Sequence, residues 1–187
     1  PDSFDTYTQW PNCAHPIRDQ GQCGSCWAFS GAEVLTDRFC IQSSGSTNVV
    51  LSPQDMVSCE SDEYACQGGY LSREWEYMEG TGIVSDECFP YASGSGYVPK
   101  CPYKCKDPSQ EWKKYKAKSG STVHYQDGES AMQDMYTKGS VQAGFTVYQD
   151  FFSYSSGVYY HKSGGAAGGH AVKAQGWGVD SDSGLSY

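Results

Sequence analysis

The stretch Gln20-Gly21-Gln22-Cys23-Gly24-Ser25-Cys26-Trp27-Ala28-Phe29 decides how this chain is organised. A glycine-containing turn runs directly into a segment with apolar residues at helical spacing, which predicts a helix to about Ile41. Cys26 is therefore expected in the first turn of that helix, where unpaired N–H groups carry partial positive charge and favour a thiolate. The stretch predicts a reactive cysteine.

Local spacing alone leaves other roles for Cys26 open. It could be half of a disulfide, a buried inert thiol, or one arm of a Cys-x-x-Cys redox or zinc site with Cys23. Only Cys101 and Cys105 offer a second pair for zinc, and no thioredoxin-like βαβ pattern surrounds the motif. The chain has nine cysteines, so in an oxidising compartment eight could form four bridges and one would remain unpaired.

Composition excludes several classes of protein. With 13 Lys+Arg against 22 Asp+Glu, the formal charge is −9, which argues against a nucleic acid partner. No apolar run is long enough to suggest a membrane span. The start at Pro1 shows no basic or apolar leader features, which suggests a soluble and already processed chain. Neither asparagine begins an Asn-x-Ser/Thr sequon, so N-glycosylation is not expected.

The pattern along the chain predicts an α+β fold in two domains. Residues 1–108 are expected to form a mainly helical, disulfide-rich domain, and residues 109–187 are expected to form a second domain of antiparallel strands. The N-terminal arm, 1–16, is expected to be extended because prolines at 1, 11 and 16 oppose a helix. Further helices are expected at 52–59, 72–80 and 129–138, and strands at 141–148, 157–161 and 170–177.

A nucleophilic cysteine needs a base, and the chain has four histidines. His170 follows Gly168-Gly169 and is expected at the start of a strand, which would be a rigid mount for a base. His15, His124 and His161 are expected to be surface or satisfied core residues. The Gly68-Gly69 pair, taken alone, predicts a tight turn.

These residues resemble the papain-like cysteine proteases. The match consists of Gln-Gly-x-Cys-Gly-Ser-Cys-Trp-Ala-Phe and Gly-Gly-His-Ala, the histidine lying 144 residues after Cys26. Further segments are similar to the cathepsin B group of that family, and the resemblance covers the whole chain. These segments are Ser3-Phe4-Asp5, Trp10-Pro11-Asn12-Cys13, Asp37-Arg38-Phe39-Cys40, Cys66-Gln67-Gly68-Gly69-Tyr70, Cys88-Phe89-Pro90-Tyr91, Ser153-Tyr154-Ser155-Ser156-Gly157-Val158-Tyr159 and Gly176-Trp177-Gly178-Val179. The resemblance implies that the first domain is the left domain and the second a barrel-like right domain, with the active-site cleft between them.

The resemblance assigns roles to individual residues. It implies that Cys26 is the nucleophile, His170 the general base and acid, and Gln20 a donor to the oxyanion hole. It also implies a set of substrate-binding residues: Gly24, Ser25, Trp27, Gly68, Gly69 and Gly169. The implied disulfides, which leave Cys26 unpaired, are Cys13–Cys40, Cys23–Cys66, Cys59–Cys101 and Cys88–Cys105.

The chain departs from the family pattern in two places. The third catalytic residue of the family is an asparagine in an Asn-Ser-Trp segment, and neither Asn12 nor Asn48 matches it, which suggests a chain cut short before that segment. The alternative is a chain that ends at Tyr187 and lacks the residue that orients the base. No histidine lies between Cys59 and Cys105. The histidine pair of the occluding loop, which binds a substrate carboxyl terminus in cathepsin B, is therefore missing, and an endopeptidase is predicted.

The sequence thus predicts a papain-like cysteine endopeptidase that needs no metal or organic cofactor. Peptides and proteins are the expected substrates, and a cognate propeptide or cystatin-like inhibitor is a possible partner. The resemblance implies work in a lysosome or digestive vacuole, or outside the cell. The alternative of a different class is a catalytically inactive relative that serves as a binding or structural module.

Overall fold

A computed structural model describes residues 1–187. The chain contains five α-helices, two short 3-10 helices at Pro11–Cys13 and Gln149–Ser153, and four strands. The helices are α1 (Thr6–Gln9), α2 (Cys26–Gln42), α3 (Pro53–Cys59), α4 (Leu71–Gly80) and α5 (Gly128–Lys138), and the strands are β1 (Phe4–Asp5), β2 (Val141–Tyr148), β3 (Ala166–Ala174) and β4 (Gly176–Trp177). This is the predicted α+β class. No helix has the length and apolar character that crossing a membrane requires.

Helix α2 is the central element of the fold. It contacts α3 and α4 on the side of the first half of the chain, and β2, β3 and α5 on the side of the second half. Twelve of its residues are buried, so the helix is buried around most of its circumference rather than along one stripe. The segment that begins with Cys26 therefore joins the two halves.

Buried apolar side chains concentrate in the first half. The main cluster contains Trp27, Met56 and Met78, each 0% exposed, and is contributed mostly by α2, α3 and α4. Tyr115 and Ala117 pack against the same cluster, beyond residue 108. The two-domain division remains a prediction, and these contacts indicate that the first-half core continues past the expected boundary.

Four disulfides hold the first half together: Cys13–Cys40, Cys23–Cys66, Cys59–Cys101 and Cys88–Cys105. They are the pairs that the resemblance implies. Cys26 is the free cysteine. The zinc or redox alternative for Cys23 and Cys26 is therefore wrong, because the Cys23 sulfur is bonded to Cys66.

The prediction of an extended N-terminal arm is wrong in part. Residues 6–9 form α1 and residues 11–13 form a 3-10 helix. The Asp5 side chain accepts a hydrogen bond from the Thr8 N–H at 2.7 Å and so caps α1. Proline 11 occupies the first position of the following 3-10 helix, where a missing N–H costs nothing. The prolines therefore limit the length of helix in the arm, but they do not prevent short helices between them.

The strand predictions also need correction. Residues 157–161 are irregular, and residues 170–177 are divided between β3, which begins at Ala166, and the short β4. β3 begins early because Gly168, with φ +146°, adapts to a register shift opposite Val147 and Tyr148. His170 consequently lies within β3 and not at its start.

The strands form two separate sheets of two strands each, and there is no closed barrel. β2 and β3 are antiparallel, with Phe145 opposite His170. The other sheet pairs Phe4 with Trp177 and Asp5 with Gly176, so the N-terminal arm is bound to the second half. The predicted barrel-like arrangement is therefore wrong for these residues, because a two-stranded sheet has too few strands to close on itself.

Candidate active site

Cys26 is the first residue of α2, and its thiol is partly exposed. Ser25 occupies the N-cap position without a side-chain cap, and no acidic residue lies in the first turn. The backbone N–H of Cys26 has no hydrogen-bond partner within the protein. The positive end of the helix dipole is therefore left unneutralised beside the sulfur, and a free N–H donor lies next to it.

The loop before Cys26 is bound to two other segments. The Gly24 N–H donates to the carbonyl oxygen of Cys66 at 2.9 Å, parallel to the Cys23–Cys66 disulfide. A Cβ on Gly24 would lie 2.5 Å from that oxygen, so only glycine fits. The Gln22 N–H donates to the carbonyl oxygen of Gly94 at 2.7 Å. The loop is thus held on both sides, in one conformation.

Gln20 lies beside this loop. Its side-chain amide donates to the carbonyl oxygen of Cys23 at 2.9 Å, which uses one of its two N–H groups. Its backbone carbonyl accepts from the Tyr91 hydroxyl at 2.7 Å, and that hydroxyl also lies 2.9 Å from the Ser25 Oγ. The sequence did not single out Tyr91, because its role depends on a contact across 71 residues.

His170 projects from β3, the strand that packs against α2. Its ring contacts the Phe145 ring edge to face, with 5.8 Å between the centroids. Burial lowers the pKa of the His170 imidazole below its ordinary value. Neither ring nitrogen hydrogen-bonds to another group of the chain, and no hydrogen bond joins the imidazole to the Cys26 thiol.

The two glycines of the Gly68-Gly69 pair serve different purposes. Gly68 has φ +110°, a conformation that favours glycine, and a Cβ there would meet open space. A Cβ on Gly69 would lie 2.5 Å from the Trp27 ring, so Gly69 is required by packing. The N–H and C=O of Gly69 bond to no other group of the protein. They remain available to an extended ligand.

The remaining substrate-binding residues of the prediction divide into two groups. Ser25 and Trp27 are 0% exposed, so they support the loop from behind and do not line a groove. The Trp27 Nε1–H donates to the carbonyl oxygen of Ala65 at 3.1 Å, which joins the helix to the segment before Gly68. Gly169 is exposed in β3, beside His170, and a Cβ there would meet open space.

The other histidines have structural or surface environments. His15 Nε2 lies 2.8 Å from the Asn48 side-chain oxygen, and His161 stacks on Tyr148 with 3.8 Å between centroids. His124 is exposed and forms no hydrogen bond. These placements agree with the roles expected for them.

A buried polar network supports the first turn of α2 from inside. The Gln142 side-chain amide in β2 lies within hydrogen-bond distance of the Trp27 carbonyl oxygen, the Ser30 Oγ and the Glu74 Oε1, at 3.2, 2.7 and 2.6 Å. Ser30 in turn donates to the Cys26 carbonyl oxygen at 2.8 Å. Glu74 is 0% exposed, and its Oε2 has no partner. Neither Gln142 nor Glu74 has a local sequence signal that marks it as part of the site.

We expect Glu74→Gln to stabilise the protein increasingly as the pH rises. Burial raises the pKa of Glu74 well above its ordinary value, so the native state favours the neutral carboxyl. The contribution of the raised Glu74 pKa to the free energy of unfolding is fully present below the unfolded-state pKa of about 4. It is lost as the pH rises through the folded-state pKa. Urea unfolding at pH 5 and pH 8 should show the advantage of E74Q over wild type growing by about 1 kcal/mol or more.

The matched control for that prediction is Glu76→Gln, which replaces an exposed carboxyl on the same helix. E76Q should follow the pH dependence of the wild type. If E74Q also followed it, the carboxyl of Glu74 would have to be ionised in the native state, and the explanation from burial would fail.

The fold and the site define a class of protein, and comparison with known proteins identifies it. The family model for papain family cysteine protease matches residues 1–187, so the chain belongs to that family. Within the family the chain is cathepsin B-like. It is 45% identical over 188 residues to cathepsin B-like CP3 of Giardia intestinalis and 39% identical over 193 residues to cathepsin B of Dictyostelium discoideum.

The coverage of these matches is unequal. They include 100% and 96% of this chain but only 62% and 61% of those two relatives. A solved structure of procathepsin B from Trypanosoma congolense superposes with a TM-score of 0.89 at 36% identity, and the match covers 100% of this chain and 65% of that one. The chain therefore spans somewhat less than two thirds of the length of these relatives.

Proposed function

We propose that this chain carries the nucleophile and the base of a cysteine endopeptidase. One observation carries the proposal: the only unpaired cysteine is the first residue of the central helix, which packs against the strand that carries His170. The other eight cysteines are consumed in disulfides. The sulfur is therefore available for attack where the helix N-terminus favours a thiolate.

In the proposed reaction, the Cys26 thiolate attacks the carbonyl carbon of the scissile peptide bond. The oxyanion that forms would accept hydrogen bonds from the free Cys26 N–H and from the second N–H of the Gln20 amide. His170, as imidazolium, gives its proton to the leaving amine, and the C–N bond breaks to leave a thioester. Water then attacks the thioester while His170 takes its proton, which releases the acid and regenerates the thiolate and imidazolium.

The environment of His170 bears on this mechanism. Burial by itself lowers the pKa of His170 and so favours the neutral base. A thiolate at Cys26 would act in the opposite direction, because a nearby negative charge stabilises the imidazolium. We therefore propose that the two groups function as a thiolate–imidazolium pair.

We propose that substrates bind as an extended strand along Gly68-Gly69. The free N–H and C=O of Gly69 can bond to a substrate backbone in the manner of an added strand. Gly68 keeps this wall open, because it presents no side chain toward the solvent. Such binding uses only the backbone of the substrate, so preference for particular substrate side chains would come from neighbouring pockets.

The proposal of endopeptidase activity depends on the composition of the segment between Cys59 and Cys105. It contains no histidine that could bind a substrate carboxyl terminus. Its part near Gly94 is bonded to Gln22 in the loop before Cys26. The four disulfides agree with an oxidising compartment, and a lysosome, a digestive vacuole or the cell exterior is the location we propose.

Internal cleavage can be tested directly on the complete protein. A peptide blocked at its carboxyl terminus and the same peptide with a free carboxyl terminus should be hydrolysed at internal bonds with kcat/KM values within about threefold of each other, because this segment has no histidine to bind the carboxylate. Product masses identify the bonds cut. Release of carboxyl-terminal dipeptides much faster than internal cleavage would contradict the proposal.

A further inference from the structure

Asp37 is a buried carboxylate on α2, only 1% exposed, whose partners come from three other parts of the chain. The Lys173 Nζ lies 3.0 Å from its Oδ2, and the Ser140 hydroxyl donates to the same oxygen at 2.6 Å. The Tyr7 hydroxyl and the His15 Nδ1 each lie 3.4 Å from Oδ1. The carboxylate thus joins the N-terminal arm, the start of β2 and the strand β3 to one point on the helix.

Lys173 is the cation of this cluster. Its side chain is 11% exposed, and its ammonium contacts the Tyr7 hydroxyl and lies 4.6 Å from the centre of the Tyr7 ring. Burial acts to lower the pKa of Lys173, but the Asp37 carboxylate and the Tyr7 hydroxyl together outweigh burial, so the pKa is raised. Removing the lysine charge would leave Asp37 buried without this partner, which is costly.

The position of this ion pair connects the two elements that hold the reactive groups. α2 begins with Cys26, and Asp37 lies eleven residues further along it, or about 16 Å along the helix axis. Lys173 lies three residues after His170 in β3, so the two side chains project from opposite faces of the strand. Lys173 contacts Asp37 of the helix, and the His170 ring on the other face contacts Phe145.

We propose that Lys173 is a positioning residue for peptide hydrolysis: its ion pair with Asp37 fixes β3 on α2 and thereby sets the position of His170 relative to Cys26. This inference rests on the proposed function. The two reactive groups are 144 residues apart in the sequence, so their separation depends on contacts of this kind. A displacement of about 1 Å can cost on the order of 100-fold in rate.

The chain provides a matched control for a merely structural role. Lys114 Nζ lies 2.7 Å from the Oδ2 of Asp55, which is 0% exposed, and the Tyr77 hydroxyl donates to the same carboxylate at 2.9 Å. This is again a buried aspartate with a lysine and a tyrosine. It joins α3 to α4 and to the segment around residue 114, and it does not involve β3. Its loss should destabilise the fold without displacing His170.

The test compares Lys173→Met with Lys114→Met in the complete protein. We expect K173M to lower kcat about 10- to 100-fold with KM within about threefold of wild type, because positioning acts on the chemical step. K114M should lower the thermal midpoint but leave kcat within about twofold. Lys173→Arg keeps the charge and should retain kcat within about fivefold. A loss of kcat in K173M no greater than in K114M would overturn the proposal.

A double variant keeps the proposal testable if K173M does not fold. Asp37→Asn combined with Lys173→Met removes the link without leaving a buried charge unpaired, so it should fold. We expect it to show the same 10- to 100-fold loss in kcat, and a wild-type kcat in the folded double variant would overturn the proposal.

Thiol reactivity separates this inference from the proposed function. The rate at which iodoacetamide alkylates Cys26 at pH 6 reports a thiolate stabilised by His170 and requires no peptide hydrolysis. It should fall about tenfold in K173M and remain unchanged in K114M. If the wild type hydrolysed no peptide, the proposed function would fail while the alkylation rates still decided the role of Lys173. Equal rates in K173M and K114M would overturn it.

Discussion

Cys26→Ser is expected to lower kcat/KM for peptide hydrolysis by on the order of 10⁴-fold or more, because a serine hydroxyl at this position has no comparable nucleophilic form at neutral pH. Thermal stability should remain close to that of the wild type, since all four disulfides persist and the thiol forms no hydrogen bond. A peptidyl epoxide should label one thiol in the wild type and none in C26S.

The base provides the companion test. His170→Ala should lower kcat/KM on the order of 10³-fold, whereas His124→Ala, which removes an exposed histidine without hydrogen bonds, should leave it unchanged. Residual activity of C26S above about one per cent of wild type would mean that another group is the nucleophile. A wild-type protein that is inactive and unlabelled at Cys26 would instead favour the non-catalytic binding module.

The second large effect is expected from the disulfide that joins the reactive loop to the glycine wall. Replacing Cys23 and Cys66 by serine opens a link across 43 residues and should destabilise the protein by about 4 kcal/mol in the chain-entropy model. The same change at Cys88 and Cys105 opens a link across 17 residues and should cost about 3 kcal/mol. Urea unfolding measures both losses.

The two double variants should differ more in activity than in stability. The Cys23–Cys66 bridge lies beside the Gly24 to Cys66 hydrogen bond, so its loss loosens both the loop that carries Cys26 and the wall at Gly69. We expect kcat/KM to fall about tenfold or more, under conditions in which both variants are folded. The Cys88–Cys105 variant should keep kcat/KM within about threefold of wild type. Equal losses of activity in the two variants would show that the bridge acts only through global stability.

Several features of the fold could be predicted because their signals are local. The helix that begins at Cys26 is predicted by a glycine-containing loop followed by apolar residues at helical spacing. Helix α3 begins where Ser52 caps it, with its hydroxyl accepting from the Asp55 N–H at 3.1 Å, and with proline as its first residue. An odd number of cysteines together with a specific motif indicated which thiol stays free.

Other predictions failed where local rules were applied too strictly. Prolines in the arm suggested an extended chain, but Asp5 caps a one-turn helix between them. Gly168-Gly169 suggested the boundary before a strand, but both glycines lie inside β3, where one adapts to the register shift. Residues 157–161 have strand-like composition, but they are irregular, and Tyr159 and His161 bind Asp150 instead of a neighbouring strand.

By itself, the sequence determined the family, the α+β class and the identity of the candidate nucleophile, because these depend on residue types at short and fixed spacings. Only the tertiary structure showed that the Trp27 ring leaves no room for a side chain at position 69. It alone also showed that Gln142 supports the first turn of α2 and that Asp37 binds Lys173. These contacts join residues 42 to 136 positions apart. Periodicity and turn chemistry describe neighbours along the chain, whereas the choice of a distant partner depends on how the packed elements share the interior.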